Sequence, residues 1–190
     1  MSEIRQHTGL ALRKTVVLVG MMGAGKTAVG RALAARLGVP FRDSDAEIEA
    51  AANMTVPEIF TRDGEPFFRR REAEVITRLL TSSPGILSTG GGAFLAQRNR
   101  DSIAAHGVSV WLDADLDLLW SRVRHKDTRP LLRTPDPRAT LAEIFAARTP
   151  IYAQAALRVT AAPELSIDAM AERVVAALKT RADVLEHDHG

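Results

Sequence analysis

The sequence contains no cysteine, which excludes disulfides, thiolate chemistry and cysteine-ligated zinc. It contains no apolar run of about 18 residues, so no membrane-spanning helix is expected. The first stretch, MSEIRQHTGLALRK, lacks the long apolar core of a secretory signal, and a cytoplasmic location is the expectation. An excess of charge of either sign is missing as well. There are 25 basic and 23 acidic residues, a net charge of +2, and so even a balance gives no reason to expect nucleic acid as a partner. No internal repeat is evident. What the chain does have is 190 residues, 46% of them hydrophobic, enough for one domain with a full core.

The densest local signal lies between residues 17 and 30, VLVGMMGAGKTAVG, which holds four glycines and a lysine. Within it Gly20 to Thr27 reads G-x-x-x-x-G-K-T. The preceding TVVLV has the composition of a buried strand. The following stretch has Val29, Leu33 and Leu37 four apart, with Gly38 placed to end a helix. A glycine-rich turn from a strand into a helix is the context of a phosphate-binding loop. Backbone N–H groups must converge on the phosphates there, and glycine permits that approach. The helix start adds unpaired N–H groups and the positive end of its dipole. Lys26 reaches the outer phosphates and the Thr27 hydroxyl ligates Mg²⁺. The loop therefore calls for a nucleoside triphosphate and Mg²⁺, without naming an acceptor.

Along the chain, strands and helices alternate. Strands are expected at TVVLV, at VPF before RDSDAEIEAA, at GILS (85–88), at VSVWL (108–112) and at LRVT. Helices are expected over about 26–37, after DSD, after a capping-box spacing at Thr55 to Glu58, and over about 65–80. Further helices are expected over about 97–106, 116–124, 141–153 and 166–179. Strands separated by helices in this way imply a parallel sheet covered on both faces. The domain is expected over 15–180, between an extension of 14 residues and a mobile tail over 181–190.

In an open parallel sheet, ligands bind beyond the carboxyl ends of the strands. After the second strand, Asp43 and Asp45 flank Ser44. In extended chain, residues two apart point the same way, so both carboxylates can face a metal–triphosphate. Asp45 can equally be the N-cap of the helix that follows, and the two readings stand level here. After the third strand come Gly90, Gly91 and Gly92, which suggest close backbone approach to a ligand or simply a flexible turn. Arg69, Arg70 and Arg71 lie on a helix and diverge by about 100° each, so they cannot all reach one site. At least one is expected to pair with an acid such as Glu72 or Glu74. Arg148 is a further candidate anion binder. The stretch HKDTRPLLRTPDPR shows no period, and a long loop of this kind is often a lid, with Arg129 or Arg133 closing onto phosphates.

The segments GMMGAGKT, DSDAEIE, FFRRRE, TGGGA, TRPLL and ARTPIY, in this order, resemble the shikimate kinase family over about 16–159. The resemblance implies a three-layer α/β sandwich with a five-stranded parallel sheet, a P-loop kinase of the nucleoside monophosphate kinase type. It implies transfer of phosphate from ATP, with Mg²⁺, to the 3-hydroxyl of shikimate on the chorismate pathway. It assigns Asp45, Arg69, Gly91 and Arg148 to shikimate. It assigns Gly23, Ala24, Gly25, Lys26, Thr27 and Ala28 to the ATP loop, with Lys26, Asp45 and Arg129 catalytic. Thr27 would ligate Mg²⁺ and Asp43 would hold it through water. Arg129 would be the arginine of a lid at about 125–137, Arg122 would stack on adenine, and Pro163 would belong to the adenine loop. The implied partner is the small-molecule substrate, not nucleic acid or membrane, and the implied state is a monomer. A kinase of another hydroxylated acid, such as gluconate, shares the ATP loop but does not need the whole set. A nucleotide switch or sensor also shares the loop, but no output module is evident.

Overall fold

The structure, a computed structural model, describes residues 9–125 and 130–187. In chain order its elements are β1 (Leu10–Leu12), β2 (Thr15–Val19), α1 (Lys26–Leu37), β3 (Phe41–Asp43), α2 (Ser44–Ala52), α3 (Val56–Asp63) and α4 (Glu65–Leu80). There follow β4 (Ile86–Ser88), α5 (Gln97–His106), β5 (Gly107–Asp113), α6 (Leu116–Val123), α7 (Pro137–Tyr152), β6 (Leu157–Thr160), α8 (Ile167–Leu178) and β7 (Leu185–His187). Single 3₁₀ turns cover Ala93–Leu95 and Pro130–Leu132.

Five strands form one parallel sheet in the order β3-β4-β2-β5-β6. All five residues of β2 are buried, because a central parallel strand is covered on both faces. That burial is why TVVLV is a continuous apolar run rather than an alternating one. The order also explains where ligands go. The connection from β2 leads to one side of the sheet and that from β4 crosses to the other, so the turn after β2 lies at the switch point.

The local signals explain the helix ends. Gly38 closes α1 in the left-handed conformation, and Thr55 and Glu58 form the full capping box of α3. Besides the main core, Ile48, Ile59 and Phe68 form a separate buried cluster. It ties α2, α3 and α4 into one helical unit beside the sheet.

Two expectations change. The helix expected from 141 begins at Pro137, because Asp136 accepts from the Ala139 N–H and Pro137 fits the first turn. The non-periodic segment is shorter by that turn. Part of the expected extension and part of the expected tail, residues 10–12 and 185–187, are also strands. β1 pairs antiparallel with β7, and Val184 and Leu185 are 0% and 3% exposed. Arg13 pairs with Glu186 and Lys14 with Asp183 across this sheet. Apolar burial of the two side chains outweighs the entropy of a free end. Replacing Leu185 with alanine is expected to lower stability by about 2–4 kcal/mol. Thermal unfolding checks this, and an unchanged midpoint would mean that the terminal sheet contributes nothing.

Candidate active site

The carboxyl ends of β2, β3 and β4, together with α6 and the start of α8, enclose a cavity of about 630 Å³. That volume suits a nucleotide-sized ligand. Its floor is the loop from Met22 through Thr27, continued by Ala28 and Val29. Gly23 and Gly25 hold φ of 82° and 94°, angles that side chains with a Cβ resist. A Cβ on Gly23 would also meet the Val123 side chain at 2.8 Å. Gly25 leads directly into α1, so the loop presents its amides at a helix N-terminus. The Lys26 ammonium donates to the carbonyls of Gly20 and Met21 at 2.7 and 3.0 Å. Arg122 of α6 donates to the Gly23 carbonyl at 2.9 Å and lines the same cavity. Arg129 lies outside the described residues.

The tie between cap and ligand at Asp43 and Asp45 is broken by where α2 starts. The helix begins at Ser44, and the cap is Asp43, whose Oδ1 accepts from the Ala46 N–H at 3.0 Å. Asp45 therefore does not cap. It sits in the first turn, not in extended chain, so the two carboxylates share the cavity through a strand-to-helix turn. Asp45 Oδ1 is buried without a hydrogen-bond partner among the described residues. Burial pushes its carboxyl up to about 6, helped by the charges of Asp43, Glu72 and Glu49, and only Arg69 opposes.

The three glycines have a geometric reason. A Cβ on Gly90 would lie 2.8 Å from Asp45 Oδ2, one on Gly91 3.1 Å from Arg148 Nη1, and one on Gly92 2.5 Å from Arg69 Nη2. Successive glycines thus admit one acid and two guanidiniums side by side. The segment is anchored at both flanks and at its centre. Thr89 donates to the Leu18 carbonyl at 3.1 Å, Asn99 to Ala93 at 2.9 Å and Tyr152 to Gly91 at 2.6 Å.

Of the arginine run, Arg69 is the one turned to the glycines. Glu72, 1% exposed at its side chain, holds it at 3.0 Å, and Glu65 at 3.3 Å. Burial pushes the Glu72 carboxyl up and Arg69 pulls it back. Arg71 pairs with Glu74 instead, and Arg70 is exposed against Phe67. Arg148 adjoins the cavity at Gly91, and Arg69 lies beside Gly92, just outside the wall; neither arginine lines the cavity.

Sequence reasoning missed the far wall. Leu165, Ser166, Ile167 and Met170, around the start of α8, line the cavity, and Pro163 does not. They follow β6, so reading one turn further past that strand end would have found them. Ser88 and Thr89 line the cavity too, at the end of β4.

The residues fit Mg²⁺ held beside a triphosphate. Thr27 and Asp43 face the same cavity, and no cluster of three metal-ligating side chains exists among the described residues. Mg²⁺ typically takes one or two protein ligands and completes its shell with phosphate and water.

Comparison with known proteins agrees with this arrangement. The family model described as shikimate kinase matches residues 22–179. A shikimate kinase of Ruegeria pomeroyi is 70% identical over 93% of this chain and 90% of its own. The structure of a shikimate kinase from Acinetobacter baumannii in complex with shikimate superposes with a TM-score of 0.82 at 35% identity. That match covers 88% of this chain and 93% of the other. A gluconokinase from Sinorhizobium meliloti has a TM-score of 0.59 at 19% identity, over 90% of this chain and 95% of its own, and shares the fold alone. A loop common to many nucleotide enzymes, joined to an acid–arginine–glycine arrangement and matched over most of its length, places the chain in the shikimate kinase family.

Proposed function

We propose that this chain transfers the γ-phosphoryl group of ATP to the 3-hydroxyl of shikimate, giving shikimate 3-phosphate and ADP. The observation that carries the reading is the line of Asp45, Arg148 and Arg69 over Gly90, Gly91 and Gly92, against a cavity floored by the phosphate loop. An acceptor with one carboxylate and several hydroxyls matches two guanidiniums beside one acid. The acceptor oxygen forms a bond to the γ-phosphorus as the bond to the bridging oxygen of ADP breaks.

Asp45 accepts the hydroxyl hydrogen bond and takes the proton as the new bond forms. A carboxyl near 6 is ionised at neutral pH yet basic enough for that task. Arg69 and Arg148 hold the carboxylate, and the Gly91 N–H assists. Gly23 to Ala28 cradle the phosphates, Lys26 neutralises the charge that develops, and Arg122 flanks the base. Thr27, and Asp43 through water, would hold Mg²⁺, which would supply charge neutralisation on the phosphates. The segment 125–137, with Arg129, is the lid of this reading, and the non-periodic run before the Asp136 cap supports it. In this reading the enzyme works as a cytoplasmic monomer on small molecules; among the described residues no helix is long and apolar enough to cross a membrane.

A coupled assay tests the reading directly: ADP should form with shikimate present and not with gluconate or with no acceptor. Lys26→Ala is expected to lower kcat by about 10² to 10³, as for loss of comparable electrostatic contacts, with the fold intact by circular dichroism. A folded variant with near wild-type turnover would remove the phosphate loop from the reaction.

Asp45 also links activity to stability. Its folded carboxyl, near 6, holds a proton more tightly than the unfolded chain does near 3.8. The fold therefore loses stability as pH rises through that window, and the penalty is complete above about 6. Asp45→Asn should gain about 1–3 kcal/mol at neutral pH and almost nothing near pH 4. Its kcat should fall steeply while KM for ATP holds. Denaturant unfolding at both pH values, together with steady-state kinetics, checks the pair of outcomes.

A further inference from the structure

We propose that Tyr152 is a positioning residue for the acceptor carboxylate, its neutral hydroxyl fixing Arg148 and the Gly91 peptide in one geometry. The inference rests on the reading above that Arg148 meets that carboxylate.

Tyr152 is the last residue of α7 and stands one helical turn after Arg148. Its side chain is 1% exposed, with its ring 6.4 Å from that of Trp111. The hydroxyl donates to the Gly91 carbonyl at 2.6 Å, and it and Arg148 Nη1 stand 3.9 and 3.1 Å from where a Gly91 Cβ would be. A phenol has one proton and two lone pairs, so with the proton given to Gly91 its lone pairs remain for the neighbouring guanidinium. A side chain in the core of the molecule thus fixes two groups assigned to the ligand, from two elements far apart in sequence.

The chemistry of the tether matters. Arg69 is held by two carboxylates, Glu65 and Glu72. Among the described residues no carboxylate forms an ion pair with Arg148. A phenol orients a guanidinium without cancelling its charge, so the full positive charge stays available to an anion. Burial keeps the phenol protonated, and therefore neutral and able to donate. Pre-positioning of this kind lowers the cost of ordering a long side chain on binding.

Tyr152→Phe keeps the ring and removes only the hydroxyl. It is expected to raise KM for shikimate about 3- to 10-fold, the size of one hydrogen bond, and to leave KM for ATP unchanged. Its preference for shikimate over shikimate methyl ester should fall in parallel. In an Arg148→Ala background the same change should add nothing, because its target is gone. Gly91→Ala, which crowds Arg148 from the other side with the hydroxyl intact, should also reduce the preference for the acid. An unchanged KM in a folded Tyr152→Phe protein would overturn the proposal, as would the same fold-loss in the Arg148→Ala background. If Arg148→Ala alone leaves KM and the acid preference at wild-type values, the carboxylate is elsewhere, and the reading of the acceptor site fails before that of Tyr152.

Discussion

The site depends on keeping opposite charges a few ångströms apart without letting them neutralise each other. Asp45, Arg148 and Arg69 pack over three consecutive glycines, so their heads are close. A direct bidentate pair between Asp45 and Arg69 would be the local optimum and would leave little for a ligand. Glu72 prevents it. Buried at the base of Arg69, it takes the guanidinium at 3.0 Å, and Asp45 is left with a buried oxygen that has no partner among the described residues. An uncompensated polar group of that kind destabilises the fold.

Much of the fold serves that separation. α2 carries Asp45 and α4 carries Arg69 and Glu72, and the small core of Ile48, Ile59 and Phe68 locks these helices together. The glycine run has no side chains to hold it, so Tyr152 of α7 holds the Gly91 carbonyl, while the flanking residues are tied by Thr89 to Leu18 of the sheet and by Asn99 of α5 to Ala93. The glycine segment is thus held by neutral hydrogen bonds, whereas Arg69 is held by ion pairs with Glu72 and Glu65.

Legibility in the sequence followed the range of the interactions. The phosphate loop was legible because strand, glycines, lysine and helix are contiguous. For Asp45 the capping and ligand readings were level because the choice turns on a one-residue difference in where α2 begins. The start of α7 was hidden in a proline-rich run, although Asp136 followed by Pro137 is a helix-start signal in its own right. The terminal sheet was invisible for a different reason. Its strands are three residues each, and Arg13 meets Glu186 across 173 positions. Tyr152 gave no signal either. Its meaning lies in a carbonyl 61 residues away.

The two halves of the cavity are built on different principles, and this bears on how they change. The phosphate half is made of main chain: glycine angles, helix N–H groups and one lysine. Backbone binding of this kind is indifferent to most neighbouring side chains. The acceptor half is made of side chains whose directions are set by partners on other elements. A change in acceptor therefore requires several residues to change together, since Arg69 without Glu72, or Asp45 with a bulkier residue at Gly90, leaves a charge misdirected or a contact too short. In the proposed reading, specificity resides in the placement of charges over Gly90, Gly91 and Gly92, and the phosphate loop supplies the half that binds the phosphate donor.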